Sequence, residues 1–127
     1  MLSLVIPVYK NEAGLPRLLR EVAALAPQCV DGLEVVFVVD GSPDRSLEIL
    51  QRALPSWDIP AQVIALSRNF GSFAAIAAGL RHARGDGFAV IAADLQEPPD
   101  LVLRFDRLLA SGEADVVFGY RERRADP

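Results

Sequence analysis

Short apolar runs alternate with longer amphipathic segments along this chain, a pattern typical of strand–helix–strand units and a parallel sheet. The apolar runs predict strands at Leu2 to Val8, Leu33 to Val39, Ala61 to Leu66, Phe88 to Ala92 and Asp115 to Phe118. Helical spacing predicts helices over Leu15 to Leu25, Leu47 to Leu54, Ala74 to Ala83 and Leu101 to Leu109. The sequence therefore predicts an α/β fold, a Rossmann-like open and mainly parallel sheet with helices on both faces.

Composition narrows the class of protein. With 127 residues, 51% of them hydrophobic, the chain has enough apolar side chains to bury the core of one domain. A net charge of −4 disfavours nucleic acid as a partner, because proteins that bind it normally carry a basic face. The single cysteine excludes an internal disulfide and suits a reducing compartment. No apolar run approaches the ~20 residues that span a bilayer, so we expect this segment to be soluble and cytoplasmic.

Polar or turn-forming residues follow most of the predicted strands. These segments are Tyr9-Lys10-Asn11-Glu12, Asp40-Gly41-Ser42, Ser67-Arg68-Asn69 and Asp94-Leu95-Gln96. Because the carboxyl ends of parallel strands share one edge of a sheet, and open α/β folds bind ligands there, these segments are expected to converge on one crevice. The sequence therefore predicts a ligand site at this edge.

Two acidic residues at these strand ends are candidates for ligand contacts. Asp40 closes the second strand, where its carboxylate can accept a hydrogen bond from the N–H of a base. Asp94 and Gln96 present oxygens two residues apart on one side of an extended segment, and Mg²⁺ takes a few such oxygens together with phosphate and water. A turn is the alternative for Asp94 and Gln96. Ser42 or Asp44 is expected to cap the following helix.

Arginines near the same edge are candidates for contacts with phosphate. Arg68 and Asn69 lead to Gly71 and a predicted helix N-terminus, a place suited to anions. Asn69 could equally cap that helix, and Arg68 could pair with a surface acid. Arg121 follows the fifth strand at the ligand edge and is a candidate to meet a phosphate, with a solvated chain end as the alternative.

Several motifs together resemble those of family 2 glycosyltransferases. They are Val5-Ile6-Pro7-Val8-Tyr9-Lys10-Asn11-Glu12, Val39-Asp40-Gly41-Ser42, Ser67-Arg68-Asn69-Phe70-Gly71, Ala93-Asp94-Leu95-Gln96-Glu97-Pro98-Pro99 and Gly119-Tyr120-Arg121. The chain looks most like the branch of dolichyl-phosphate-mannose synthase and bacterial polyprenyl-phosphate glycosyltransferases. This resemblance implies that residues 1–127 are the nucleotide-binding half of a GT-A type domain, truncated before the acceptor-binding part.

The resemblance also implies roles for individual residues. The nucleotide-binding residues would be Pro7, Tyr9, Asn11, Val38, Asp40, Ala93 and Asp94. Asp94 and Gln96 would hold a divalent cation, Mg²⁺ or Mn²⁺. Arg68 and Arg121 would bind phosphate, and Asp94 and Arg121 would be the catalytic residues. The family usually has a further acid where this chain has Val39 and Ala92, so weaker or altered metal dependence is a hypothesis.

The activity implied by the resemblance is transfer of a sugar from a nucleotide-sugar donor to an acceptor, which is expected to be a polyprenyl (lipid) phosphate. Membrane contact, at the cytoplasmic face, is expected only through parts absent from this chain. A homo-oligomer that forms through exposed apolar surface is a further alternative. The alternative function is a non-catalytic nucleotide-binding or scaffolding module, which would bind nucleotide diphosphate without turnover.

Overall fold

The computed structural model describes residues 1–94, 100–112 and 116–118. Its strands are β1 (Leu2–Val8), β2 (Leu33–Val39), β3 (Ala61–Ala65), β4 (Gly87–Val90) and β5 (Val116–Phe118). Its α-helices are α1 (Leu15–Leu25), α2 (Ser46–Ala53), α3 (Ser72–His82) and α4 (Asp100–Ala110). Short 3-10 turns follow α1 and α2 at Ala26–Gln28 and Leu54–Ser56. Each of these strands and α-helices corresponds to a segment that the hydrophobic pattern predicts.

The strands form one sheet in the order β3-β2-β1-β4-β5. All neighbouring pairs in the described part of the chain are parallel. The order progresses outward from β1 in both directions, so β1 and β4 meet where the direction reverses. Ligands of open α/β sheets bind outside the carboxyl ends of the strands at such a reversal. The predicted open parallel sheet is confirmed, and its topology points to the ends of β1 and β4.

Helices cover both faces of the sheet. On one face, Leu4, Ile6 and Val8 of β1 belong to the larger core, which also contains buried residues of α1, α2 and α4. On the other face, Val5 packs with residues of β2 and α3 in a smaller core. A Cβ atom at Gly79 of α3 would lie only 2.4 Å from Val5 Cγ1, so α3 lies very close to the sheet. Burial on both faces explains the nearly continuous apolar sequence of β1 and β2.

The buried face of α4 differs from its hydrophobic pattern at Val102, Asp106 and Leu108. Leu108 is one of the residues whose spacing predicts this helix, yet it is 39% exposed. Val102 and Asp106 are buried instead. The Asp106 carboxylate accepts a hydrogen bond of 2.7 Å from the backbone N–H of Val30, which satisfies it in a buried position. A long-range partner therefore decides which residue of α4 faces inward.

A second buried carboxylate fixes the amino-terminal edge of the sheet, opposite the predicted site. Glu34 of β2 is 3% exposed and accepts hydrogen bonds from Ser3 Oγ at 2.5 Å, from the N–H of Gly85 at 3.1 Å and from the N–H of Arg84. Burial raises the pKa of Glu34, but these hydrogen bonds outweigh it and hold the pKa below its usual value. Glu34 therefore fixes the connection between α3 and β4.

None of the helices in the described ranges combines the length and the apolar character required to cross a bilayer.

Candidate functional site

A cavity of about 400 Å³ opens at the carboxyl edge of the sheet. This volume lies within the range of small-molecule binding sites. Residues from the ends of β1, β2 and β4 and from the start of α3 form its walls. They are Pro7, Val8, Tyr9, Asn11, Asp40, Asn69, Gly71, Ser72, Ala92, Ala93 and Asp94. The segments that the sequence predicts to converge do meet here, and they include most of the residues expected to bind nucleotide.

The turn after β1 forms one wall of the cavity and has an unusual backbone. The N–H of Tyr9 donates a hydrogen bond of 2.8 Å to Asn11 Oδ1. Between them, Lys10 has a φ of 55°, in the left-handed region that is costly for residues other than glycine. The Lys10 Nζ lies 5.3 Å from the centroid of the Tyr9 ring. Tyr9, which is 40% exposed, is one of the residues that line the cavity.

Asp40, at the end of β2, holds the loop that leads into α3. Its Oδ1 accepts a hydrogen bond of 2.8 Å from the N–H of Phe70, and its Oδ2 accepts one of 3.1 Å from the N–H of Gly71. Asp40 is only 3% exposed, although it lines the cavity. Hydrogen bonds from backbone amides stabilise a buried carboxylate, so Asp40 has a structural role as well as a place in the site.

Gly41 permits the close approach of two loops at this edge. Its φ is +62°, and a Cβ atom on it would lie 2.2 Å from the carbonyl carbon of Arg68. Only glycine fits this conformation and this contact. The Asp-Gly pair after β2 therefore acts on the Arg68–Gly71 loop in two ways, by hydrogen bonds from Asp40 and by backbone contact at Gly41.

Asp44 joins the loop after β2 to the turn after β1. Its Oδ1 accepts hydrogen bonds from Ser42 Oγ at 2.5 Å and from the N–H of Ser46 at 3.1 Å. Its Oδ2 accepts one of 3.2 Å from the N–H of Glu12. Desolvation raises the pKa of Asp44, but the hydrogen bonds from Ser42, Ser46 and Glu12 outweigh it and lower the pKa to about 2. The prediction that Ser42 or Asp44 is the N-cap of α2 is wrong, because the N-cap is Arg45, but the Asp44 carboxylate does accept the N–H of Ser46, the first residue of the helix.

The low pKa of Asp44 predicts an acid-dependent loss of stability. Because the pKa falls from 3.8 to about 2 on folding, the stabilisation is present above about pH 4 and is lost as the pH falls through about 2. In Asp44→Asn this group does not titrate, so the free energy of unfolding should decline less over that interval. Urea unfolding of both proteins at several pH values measures the difference. Parallel declines would contradict the role of Asp44.

Two predicted site residues lie away from the cavity walls. Arg68 is exposed, and its guanidinium carbon lies 4.6 Å from the centroid of the Phe70 ring. Val38 is fully buried in the core beneath α3, where it faces Gly79 rather than the cavity. Gln96 and Arg121 lie outside the described residues, so their roles stay predictions.

The structure also adds residues to the predicted site. Asn69, Gly71 and Ser72 line the cavity from the start of α3. The sequence singled out the segment up to Gly71 as a place for anions but did not include Ser72. The sequence signal that could have identified Ser72 is its position directly after Gly71, where a helix N-terminus is predicted. In the structure Ser72 is the first residue of α3.

The acidic residues of the cavity determine how a divalent cation could fit. Among the residues that the structure describes, no group of three or more His, Cys, Asp and Glu side chains is arranged to hold a metal ion. Both oxygens of Asp40 accept backbone hydrogen bonds. Asp94 lies on the cavity wall, and its side chain is exposed. Mg²⁺ is commonly bound by one or two carboxylates together with substrate phosphates and water. Asp94 therefore fits a cation that is shared with a bound diphosphate.

Comparison with curated proteins gives relatives along nearly the whole chain. The undecaprenyl-phosphate 4-deoxy-4-formamido-L-arabinose transferase of Pseudomonas syringae is 44% identical over 124 residues, which are 98% of this chain and 36% of the relative. The protein of the same name from Pseudomonas aeruginosa is 43% identical over 126 residues, 99% of this chain and 37% of the relative. The chain therefore spans little more than a third of the length of these relatives. The predicted similarity to polyprenyl-phosphate glycosyltransferases is confirmed.

Solved structures share the fold. The mannosyltransferase PcManGT from Pyrobaculum calidifontis, in complex with GDP-Man and Mn²⁺, superposes with a TM-score of 0.74 at 24% identity, covering 86% of this chain and 32% of that protein. S. aureus TarS in complex with UDP gives a TM-score of 0.64 at 26% identity, covering 73% of this chain and 27% of TarS. The predicted GT-A type architecture is confirmed.

The family model for glycosyl transferase family 2 matches residues 3–127. The matched range contains all the motifs on which the resemblance is based. Because the match extends over almost the entire sequence, this chain belongs to glycosyl transferase family 2.

Proposed function

We propose that this protein transfers a sugar from a nucleotide-linked donor to a polyprenyl phosphate, and that residues 1–127 form the donor-binding part of its catalytic domain. The observation that carries this proposal is the cavity at the carboxyl edge, where Tyr9, Asn11, Asp40 and Asp94 converge. Its position at the reversal of strand order is the one at which open α/β sheets bind nucleotides.

The polar groups of the cavity suit the parts of a nucleotide diphosphate. Tyr9 is a partly exposed lining residue whose aromatic ring can stack on a base. Asn11 and Asp40 offer amide and carboxylate groups for hydrogen bonds to the nucleoside, and Asp94 offers a carboxylate toward the diphosphate. We assign the phosphate contacts to Arg68 and Arg121, in keeping with their places in the family motifs.

Transfer breaks the bond between the anomeric carbon and the diphosphate oxygen and forms a bond from that carbon to an acceptor phosphate oxygen. The nucleoside diphosphate leaves with the electron pair. A divalent cation, Mg²⁺ or Mn²⁺, would supply Lewis-acid stabilisation of this leaving group, held by Asp94 and Gln96. A lipid phosphate is already anionic near neutral pH, so the protein has no need of a strong general base.

The acceptor class is proposed from the relatives, whose names specify undecaprenyl phosphate. Such an acceptor is anchored in a membrane, so we place the reaction at its cytoplasmic face. The relatives are nearly three times as long as the matched part, and we propose that the acceptor is oriented by segments that correspond to their remaining length. Misplacement of reacting groups by about 1 Å costs on the order of a hundredfold in rate.

Calorimetric titration with UDP- and GDP-sugars, with and without Mn²⁺ or Mg²⁺, tests the donor site. We expect saturable binding of one nucleotide class, strengthened by the cation. The absence of binding for every nucleotide sugar under both conditions would contradict the proposed function.

Transfer of radiolabelled sugar to undecaprenyl phosphate tests the reaction. We expect turnover by a version extended to the length of the relatives, and binding without turnover by residues 1–127 alone. Equal turnover by both would show that the acceptor site is already complete in these residues. Binding without turnover by the extended protein would support a non-catalytic nucleotide-binding module.

A further inference from the structure

Residues outside the cavity walls determine the shape of the turn after β1. The N–H of Lys10 donates a hydrogen bond of 2.8 Å to Ser42 Oγ. The N–H of Glu12 donates one of 3.2 Å to Asp44 Oδ2, and Glu12 Oε1 accepts one of 3.1 Å from the N–H of Arg45. We call these four contributors, Glu12, Ser42, Asp44 and Arg45, the Asp44 network. Its hydrogen bonds cross between two loops that are 32 or 33 residues apart in sequence.

The turn needs such contacts because its backbone is costly. Lys10, with a φ of 55°, adopts a conformation that non-glycine residues keep only where the surroundings impose it. Within this network, Ser42 accepts the hydrogen bond of the Lys10 N–H and Asp44 accepts that of the Glu12 N–H, so that the backbone is held on both sides of Asn11. These hydrogen bonds hold Lys10 and Glu12, and the adjacent residues Tyr9 and Asn11 line the cavity.

We propose that Asp44 is a positioning residue for the donor site, which sets the Tyr9–Asn11 turn in the conformation that binds nucleotide. This inference rests on the proposed function, because it concerns the affinity of that cavity. Asp44 itself is not among the cavity-lining residues. It acts through Ser42, whose hydroxyl it orients, and through the N–H of Glu12.

Asp44→Asn removes one part of this arrangement selectively. The amide oxygen of asparagine can still accept the hydrogen bonds of Ser42 and Ser46, but its NH₂ group would face the N–H of Glu12, a donor against a donor. Ser42→Ala removes the acceptor for the N–H of Lys10, whereas Ser42→Thr keeps a hydroxyl. We expect Asp44→Asn and Ser42→Ala to weaken binding about tenfold, the loss typical of a hydrogen bond to a charged group, and Ser42→Thr to restore it.

Glu34→Gln is the matched control. Glu34 also accepts a serine hydroxyl and two backbone N–H groups, but at the opposite edge of the sheet. Its substitution should lower thermal stability and change nucleotide affinity by less than about twofold, because distant sites without shared partners act independently. A merely structural role of Asp44 would give the same result as Glu34→Gln.

The experiment measures calorimetric affinity for UDP and GDP in the presence of Mn²⁺, for the parent and the four variants. Amide hydrogen exchange at Lys10 and Glu12 is measured without nucleotide. We expect faster exchange and weaker binding in Asp44→Asn, with neither change in Glu34→Gln. Unchanged affinity of Asp44→Asn and Ser42→Ala beside a parent that binds normally would overturn this proposal alone. A parent that binds neither diphosphate would reject the proposed function and this proposal with it.

Discussion

Replacement of Asp94 by alanine is expected to abolish the effect of divalent cations on nucleotide diphosphate binding. Asp94 is an exposed carboxylate on the cavity wall, and its neighbours in the lining, Ala92 and Ala93, offer no second carboxylate in its place. Loss of a metal-ligating carboxylate should weaken cation binding by at least about a hundredfold, more than the loss of a group that only orients a ligand. Titration with Mn²⁺ at a fixed concentration of UDP or GDP measures this effect.

Asp58→Ala is a suitable control for the Asp94 variant. Asp58 is also an exposed carboxylate, but it precedes β3, at the amino-terminal edge of the sheet. Its removal changes the net charge by the same amount and should leave the Mn²⁺ dependence intact. Gln96→Ala is expected to reduce the cation effect only in part. If the Asp94→Ala and Asp58→Ala proteins respond to Mn²⁺ like the parent, the cation site lies elsewhere.

Replacement of Asp40 by asparagine is expected to lower both stability and nucleotide affinity. The two carboxylate oxygens accept the N–H groups of Phe70 and Gly71 in a buried position. Asparagine has one acceptor oxygen, so one of these N–H groups would face an NH₂ group. Leaving a buried donor unsatisfied costs about 1–3 kcal/mol, which should appear in the free energy of unfolding. The freed loop, with Asn69 and Gly71 in the cavity wall, should weaken binding further.

Urea unfolding and calorimetric titration of the same Asp40→Asn preparation separate these effects. Asp58→Asn is the matched comparison, because it makes the same chemical change at an exposed position outside this cavity. We expect Asp58→Asn to keep the unfolding free energy of the parent. An Asp40→Asn protein as stable as the parent would contradict the role of Asp40 in holding the loop before α3.

The fold could be predicted because its determinants are local and periodic. β1 and β2 are covered on both faces, so their sequences are nearly continuous apolar runs. The sequence shows where these runs end, at Val8 and Val39. The positions of the strand ends follow directly, and parallel pairing then brings those ends to one edge. Most of the predicted nucleotide-binding residues therefore line one cavity without any information on side-chain contacts.

The roles of individual polar residues could not be predicted in the same way. The sequence indicated Asp40 as a ligand group for a base, but its oxygens accept hydrogen bonds from backbone amides 30 and 31 residues away. The local sequence predicts Asp44 as a capping residue. Its contact with Glu12 could not be predicted, because that contact depends on the packing of two loops. Val38 illustrates a further limit, since alternation along a strand does not reveal which face lies under α3.

The most direct test of the nucleotide site is an NMR titration of the protein with UDP and with GDP, each in the presence of Mg²⁺. If the carboxyl-edge cavity binds the nucleotide, the amide signals of Tyr9, Asn11, Asn69 and Ser72 should shift in a saturable manner. Those of Gly32 and Gly87, at the amino-terminal edge, should not. Shifts confined to the amino-terminal edge, or no saturable shift with either nucleotide, would contradict the placement of the donor site.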